Sequence, residues 1–155
     1  SLPRVDVGGT VGQGTLRPDG LIRKAGDPFV GGGIYNRTGD RQTRSARVRA
    51  GGTQVFVVRI ENDGNEPDVF VVKGTKASKR FDVTYRRGAT TITGRVTAGT
   101  SLTPTLQPGE HTDITVTIRA KSPATAGDAI TAKVTVTSRT DTTEKDVVRA
   151  TVTRR

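Results

Sequence analysis

Alternation with a period of two constrains this chain more than any other feature. Gln54 to Glu61 reads QVFVVRIE and sets Phe56, Val58 and Ile60 on one face, as a half-buried strand requires. Phe81, Val83 and Tyr85 alternate with Asp82, Thr84 and Arg86, and Ile114, Val116 and Ile118 with Thr115, Thr117 and Arg119. Ile130, Ala132, Val134 and Val136 repeat the pattern, and a last strand is expected from about Asp146 to Thr153. Val69 to Val72 and Ile92 to Val96 read as two further short strands. Turn chemistry separates them at Asn62–Pro67, Gln107–Glu110 and Pro123–Asp128. The chain holds 26 threonines, many at outward positions where a β-branched polar residue suits the pleat. These runs predict an all-β fold: an antiparallel β-sandwich of about seven strands spanning residues 15–155.

The composition admits one such domain and little else. Of 155 residues, 35 are Val, Ile, Leu or Phe, enough for a thin core and no second one. Phe29, Phe56, Phe70 and Phe81 are expected in that core. No stretch approaches the roughly 20 apolar residues of a membrane-spanning helix. Cysteine is absent, which excludes disulfides and Cys-ligated zinc or iron–sulfur centres. Methionine is absent too, and the chain begins Ser1-Leu2-Pro3. Removal of a secretory signal, loss of an initiator Met and excision of a repeat from a longer surface protein each give such a start; the first is favoured, so a secreted or cell-surface location is expected.

The first fifty residues are less regular. Residues 1–14 carry glycine at 8, 9, 12 and 14 and are expected to form an extended arm or linker. Leu2, Val5, Val7 and Val11 are its apolar positions and the expected subunit contacts, by strand addition to a neighbour's sheet edge. Leu16 to Lys24 is expected to form a strand after an Arg17-Pro18-Asp19-Gly20 turn. Gly31-Gly32-Gly33-Ile34-Tyr35-Asn36 requires unusual backbone angles or a close approach, and Gln42 to Ala50 leads into the sandwich.

The stretch Gly31 to Thr43 (GGGIYNRTGDRQT), the strand ending Arg59-Ile60-Glu61-Asn62-Asp63-Gly64-Asn65, FDVTY at 81–85, LQPGE at 106–110 and Lys145-Asp146-Val147-Val148 follow one another in order. In that order and spacing the chain resembles the immunoglobulin-like domains found, often in tandem, in secreted and cell-surface bacterial proteins. It is similar to the CARDB and NEW3-type sandwiches that accompany adhesins, layer proteins and glycosidases. The resemblance implies an extracellular structural or accessory module.

Chemistry is sparse. Lys plus Arg outnumber Asp plus Glu by 25 to 15, a net charge of +10. The bases are spread through Thr- and Val-rich strands, aromatic residues are only 4%, and no DNA-binding helix pattern exists. A basic exterior facing anionic wall polymer or polysaccharide is therefore favoured over nucleic acid. His111 is the single histidine, and on a strand it shares a face with Asp113. No nucleophile accompanies that pair, so no catalytic residue is assigned. No cofactor is expected. Glu61, Asp63, Asn65 and Asp68 are calcium candidates within one acidic turn, but their spacing departs from the EF-hand loop and predicts little response to calcium. The glycines at 8, 9, 12 and 14 lack the Gly-Lys-Ser/Thr of a phosphate loop. Lys73 at a strand end is a minor candidate for an intramolecular isopeptide bond. The leading functional expectation is a non-enzymatic subunit of a self-assembling surface filament, sheath or layer. The alternative is an accessory binding or spacer module contacting polysaccharide or wall polymer.

Overall fold

The computed structural model describes residues 4–5, 11–12 and 14–155, with side chains from residue 14 onward. Arg4–Val5 (β1) and Val11–Gly12 (β2) pair antiparallel, with Val5 opposite Val11. Leu2 and Val7 lie outside the described residues. From Thr15 the chain is tied in by backbone bonds: the Asn65 amide donates to the Thr15 carbonyl and that of Asp63 to Arg17.

Two five-stranded sheets build the sandwich. Pro18–Lys24 (β3), Thr53–Asn62 (β5), Phe81–Arg87 (β7), Thr90–Thr91 (β8) and His111–Ala120 (β10) form the first, in the spatial order β3-β5-β10-β7-β8. Thr43–Val48 (β4), Phe70–Gly74 (β6), Ser101–Leu102 (β9), Ala129–Ser138 (β11) and Lys145–Arg154 (β12) form the second, in the order β4-β12-β11-β6-β9. All ladders are antiparallel except that of β4, which runs parallel to β12 with Thr43 opposite Arg149.

The core is the alternation made physical. Phe56, Val58 and Ile60 of β5 are each 0% exposed, and Val116 of β10 lies opposite Phe56 on one side and Tyr85 on the other. From the second sheet, Phe70, Val72, Val134, Val136, Val148 and Val152 complete the same cluster. Each such side chain, fully buried, stabilises the fold by about 1.5–3 kcal/mol before entropy is counted. Three of the four phenylalanines belong here. Phe29 does not: it is half-buried, with the guanidinium groups of Arg23 and Arg59 at 4.7 and 4.5 Å from its ring centre.

Two local expectations are corrected. Ile92 to Val96 is not a strand, because Thr93–Ala98 forms a single helical turn and a half (α1). Ile92 and Val96 are four residues apart, so one turn of helix turns both toward the core, where they are buried. Gly99 ends α1 in the left-handed conformation, its amide bonded to the Val96 carbonyl. Secondly, Pro18-Asp19-Gly20 is no turn but the start of β3, opposite Asn62, Glu61 and Ile60. Proline is accommodated as the first residue of this outer strand, where no ladder partner needs its missing amide.

Candidate functional site

Because partner residues in a ladder share a face, the registers read out what each sheet shows to solvent. On the first sheet the outward rows contain Asp19, Arg23, Arg59, Glu61, Asp82, Arg86, His111, Asp113 and Arg119. Both signs are present there and partly neutralise one another. Arg59 holds Asp113 through two hydrogen bonds of 2.9 and 3.1 Å, and Arg119 reaches Asp82 at 3.3 Å. His111 stands exposed at the head of β10 opposite Glu61, and Asp113 is committed to Arg59.

The outward rows of the second sheet are different. Lys73 on β6 faces Thr135 on β11, which faces Val147 on β12; Thr137 faces Lys145; Lys133 faces Arg149, beside Thr43 of β4. With Arg47 at the far edge, these rows carry five bases and no acid. Among the described residues, none of Lys73, Lys133, Lys145 or Arg149 is in an ion pair. A groove of about 530 Å³ runs over this face between Arg37, Lys73, Lys133, Thr135, Thr137 and Lys145. Arg37 is fixed at its rim by donating to the Thr143 carbonyl. Lys73 is exposed, so the buried triad of an isopeptide bond is not formed.

Between the sheets, at the end where β3 meets β12, buried polar groups organise the glycine-rich loop. Asp146, 0% exposed, accepts the Gly20 amide at 2.7 Å, the Gln42 side-chain amide at 2.8 Å and the Asn36 amide at 3.0 Å. Asp19 accepts the Gly33 amide at 2.9 Å. The loop thus folds over Asp19 and shuts it from water, although Asp19 sits on an outward row. Gly31 has φ +99°, and a Cβ there would stand 2.9 Å from Gln42 Cγ, so the loop needs glycine for both angle and approach. Burial pushes the Asp19 carboxyl up to about 8; the Gly33 amide opposes this and the facing Asp63 carboxyl adds to it. Burial also raises Asp146, partly offset by its amide donors. The Tyr35 hydroxyl, driven up to about 12 by burial and by Asp63, donates to Asp63 at 2.5 Å.

The four calcium candidates are split by the fold. Glu61 and Asp63 stay together and are joined by Asp19, with one carboxylate oxygen of each within 4.8 Å of the others. Asp68 is buried elsewhere, accepting the hydroxyls of Ser138 and Thr140. The Asn65 side-chain oxygen accepts the Thr15 amide. Asp19 was not among the sequence candidates; the one signal that finds it is its pairing across β3 and β5, forty-odd residues apart in the chain.

The architecture defines a two-sheet, all-β sandwich of the immunoglobulin-like class. No family model matches the chain, so the CARDB and NEW3 relationship gains no support from that side. No curated protein matches it either. Among solved structures it is similar to a family 123 glycoside hydrolase from Clostridium perfringens (6% identity, 89% of this chain, 27% of that chain, TM-score 0.55). It is also similar to a FixG-related protein from Vibrio parahaemolyticus (8% identity, 89% of this chain, 96% of that one, TM-score 0.48). A third similarity is to the secreted serine protease VesC from Vibrio cholerae (15% identity, 72% and 21% coverage, TM-score 0.44). The chain spans about a quarter of the length of the glycoside hydrolase it matches. The likeness to that enzyme bears on the fold alone. Among the described residues, no helix is long and apolar enough to cross a membrane.

Proposed function

We propose that this chain is a non-catalytic extracellular β-sandwich module whose second sheet binds an anionic polymer, a wall polymer or acidic polysaccharide. The observation that carries the reading is the acid-free outward face of β4, β6, β11 and β12, with Lys73, Lys133, Lys145, Arg149 and Arg47. Unpaired lysines on a rigid sheet hold charge at fixed spacing, and the threonine hydroxyls between them supply hydrogen bonds to phosphate, carboxylate or sugar oxygens. The rows that face the groove hold no aromatic side chain, which disfavours stacking of nucleic-acid bases.

The filament-subunit reading ranks second, on the sheet edges. β8 and β9 are two residues long, β4 carries Arg44 and Arg47, and β3 is bridged at Ile22 by Val30. Such blunted edges suit a protein that avoids strand addition.

The test is retention on isolated Gram-positive cell walls, before and after extraction of their anionic polymer, and on immobilised heparin. Wild type is expected to bind intact walls and heparin and to lose the walls on extraction. The triple variant Lys73→Gln, Lys133→Gln, Lys145→Gln is expected to lose retention on both at physiological salt, while Arg119→Gln on the other sheet binds as wild type. Equal binding by the triple variant, or ordered polymers of the purified chain in place of binding, refutes the module reading.

A further inference from the structure

The opposite sheet carries a site of the reverse sign. Asp19 on β3 and Glu61 on β5 are directly opposite one another, and Asp63 follows just past the end of β5. In a chain with 25 bases and 15 acids, none of these three carboxylates forms an ion pair with a lysine or arginine among the described residues. Asp19 is 1% exposed, and its Oδ1 is buried without a hydrogen-bond donor. Its other oxygen is held by the Gly33 amide, so the side chain cannot swing to solvent without releasing the loop. A buried carboxylate that faces a second carboxylate requires either a proton or a cation between them. Asp63 is meanwhile fixed from outside by the Tyr35 hydroxyl.

We propose that Asp19, Glu61 and Asp63 form a binding site for a divalent cation of the calcium kind. Three carboxylates from two strands and a turn give an all-oxygen, high-charge donor set, which suits a hard cation. The three grouped ligands are all carboxylates, which disfavours zinc and copper. Calcium fits better than magnesium, since ligands on a strand, a strand end and a turn tolerate irregular geometry and a larger ion. The cation neutralises the cluster and ties β3 to the Asn62–Pro67 turn and, through Gly33 and Tyr35, to the glycine-rich loop. Calcium here acts as a structural staple, separate from the basic face and independent of what that face binds.

The chain contains two tyrosines and no tryptophan, and only Tyr35 touches the cluster, because Tyr85 is in the core and bonds the Thr75 carbonyl. Terbium, a luminescent stand-in for calcium, should therefore be sensitised by tyrosine excitation. The experiment titrates chelator-treated full-length protein with terbium, competes it with calcium, and records melting with and without millimolar calcium. Asp63→Asn and Glu61→Gln, neither at a buried position, serve as variants, and melting in chelator checks that each is folded. Expected are saturable terbium emission displaced by calcium, and a melting-point rise above about 5 °C at millimolar calcium. Each substitution should weaken terbium binding by roughly tenfold or more, since affinity follows ligand charge. Absence of saturable emission, a smaller melting shift, or an unchanged response in both variants overturns the site.

Discussion

Asp146 shows how one residue positions a whole region. It is buried at the seam between the sheets, yet its two oxygens receive three donors from β3, the loop before β4 and Gln42. Replacing it by Asn keeps the shape but turns one acceptor into a donor facing other donors. Asp146→Asn should therefore destabilise the fold by about 1–3 kcal/mol, the cost of a buried donor left unpaired, read as a lower denaturation midpoint. The raised ionisation of Asp146 fixes the sign of the pH response. A carboxyl that titrates higher in the folded than in the unfolded state contributes most below the unfolded value of about 3.9 and loses stability as pH climbs toward its folded value. The stability gap between wild type and Asp146→Asn should accordingly narrow from pH 4 upward. Equilibrium urea denaturation across that range checks it, and a gap that widens with pH would mean that the buried group is a stabilising carboxylate instead.

At the scale of elements, legibility followed the length of the alternation. Strands β5, β10, β11 and β12 each run ten residues, and the pattern that marks them has room to repeat. The segment around Ile92 does not. Two apolar residues four positions apart, with Thr93 and Gly94 between them, fit a brief strand and a single helical turn equally well, and only packing against β6 and β7 decides it. Pro18-Asp19-Gly20 misleads for a related reason. Its residues are turn formers by local preference, but Gly20 is placed by a β-ladder and by Val148, whose Cγ1 would lie 3.1 Å from an added Cβ. The candidate cation ligands were half legible: Glu61 and Asp63 are two apart in sequence, whereas Asp19 joins them through pairing that no local pattern encodes. For α1, the tertiary explanation carries a prediction. Val96 is the buried residue of the helix, so Val96→Ala should cost about 2 kcal/mol through the cavity left behind. The melting point should fall by roughly 4–8 °C while the far-ultraviolet circular dichroism stays that of a strand protein. An unchanged melting point would show that α1 is a surface ornament.

For the whole molecule, the two faces of the sandwich divide the charge. Along the chain the bases look scattered, because Lys73, Lys133, Lys145 and Arg149 belong to three different strands. The order β4-β12-β11-β6 brings those strands side by side, and alternation points the four side chains the same way. On the other sheet Arg59 and Arg119 are paired with Asp113 and Asp82, and Arg23 lies over the Phe29 ring. This division makes the binding of a polyanion a property of one face, with a measurable electrostatic signature. Each lysine that neutralises an anionic group releases condensed counterions, so the logarithm of affinity falls linearly with the logarithm of salt. Removing lysines one at a time from the groove should shrink that slope by roughly one for each residue replaced. The measurement is heparin affinity between low and physiological salt for wild type, Lys133→Gln and the triple variant. Arg119→Gln and Arg59→Gln should leave the slope unchanged, because their charges are already paired with carboxylates on the opposite sheet. A slope that responds equally to substitutions on both faces would mean that the net charge of +10 attracts polymer without regard to geometry. The register of the second sheet would then have no part in recognition.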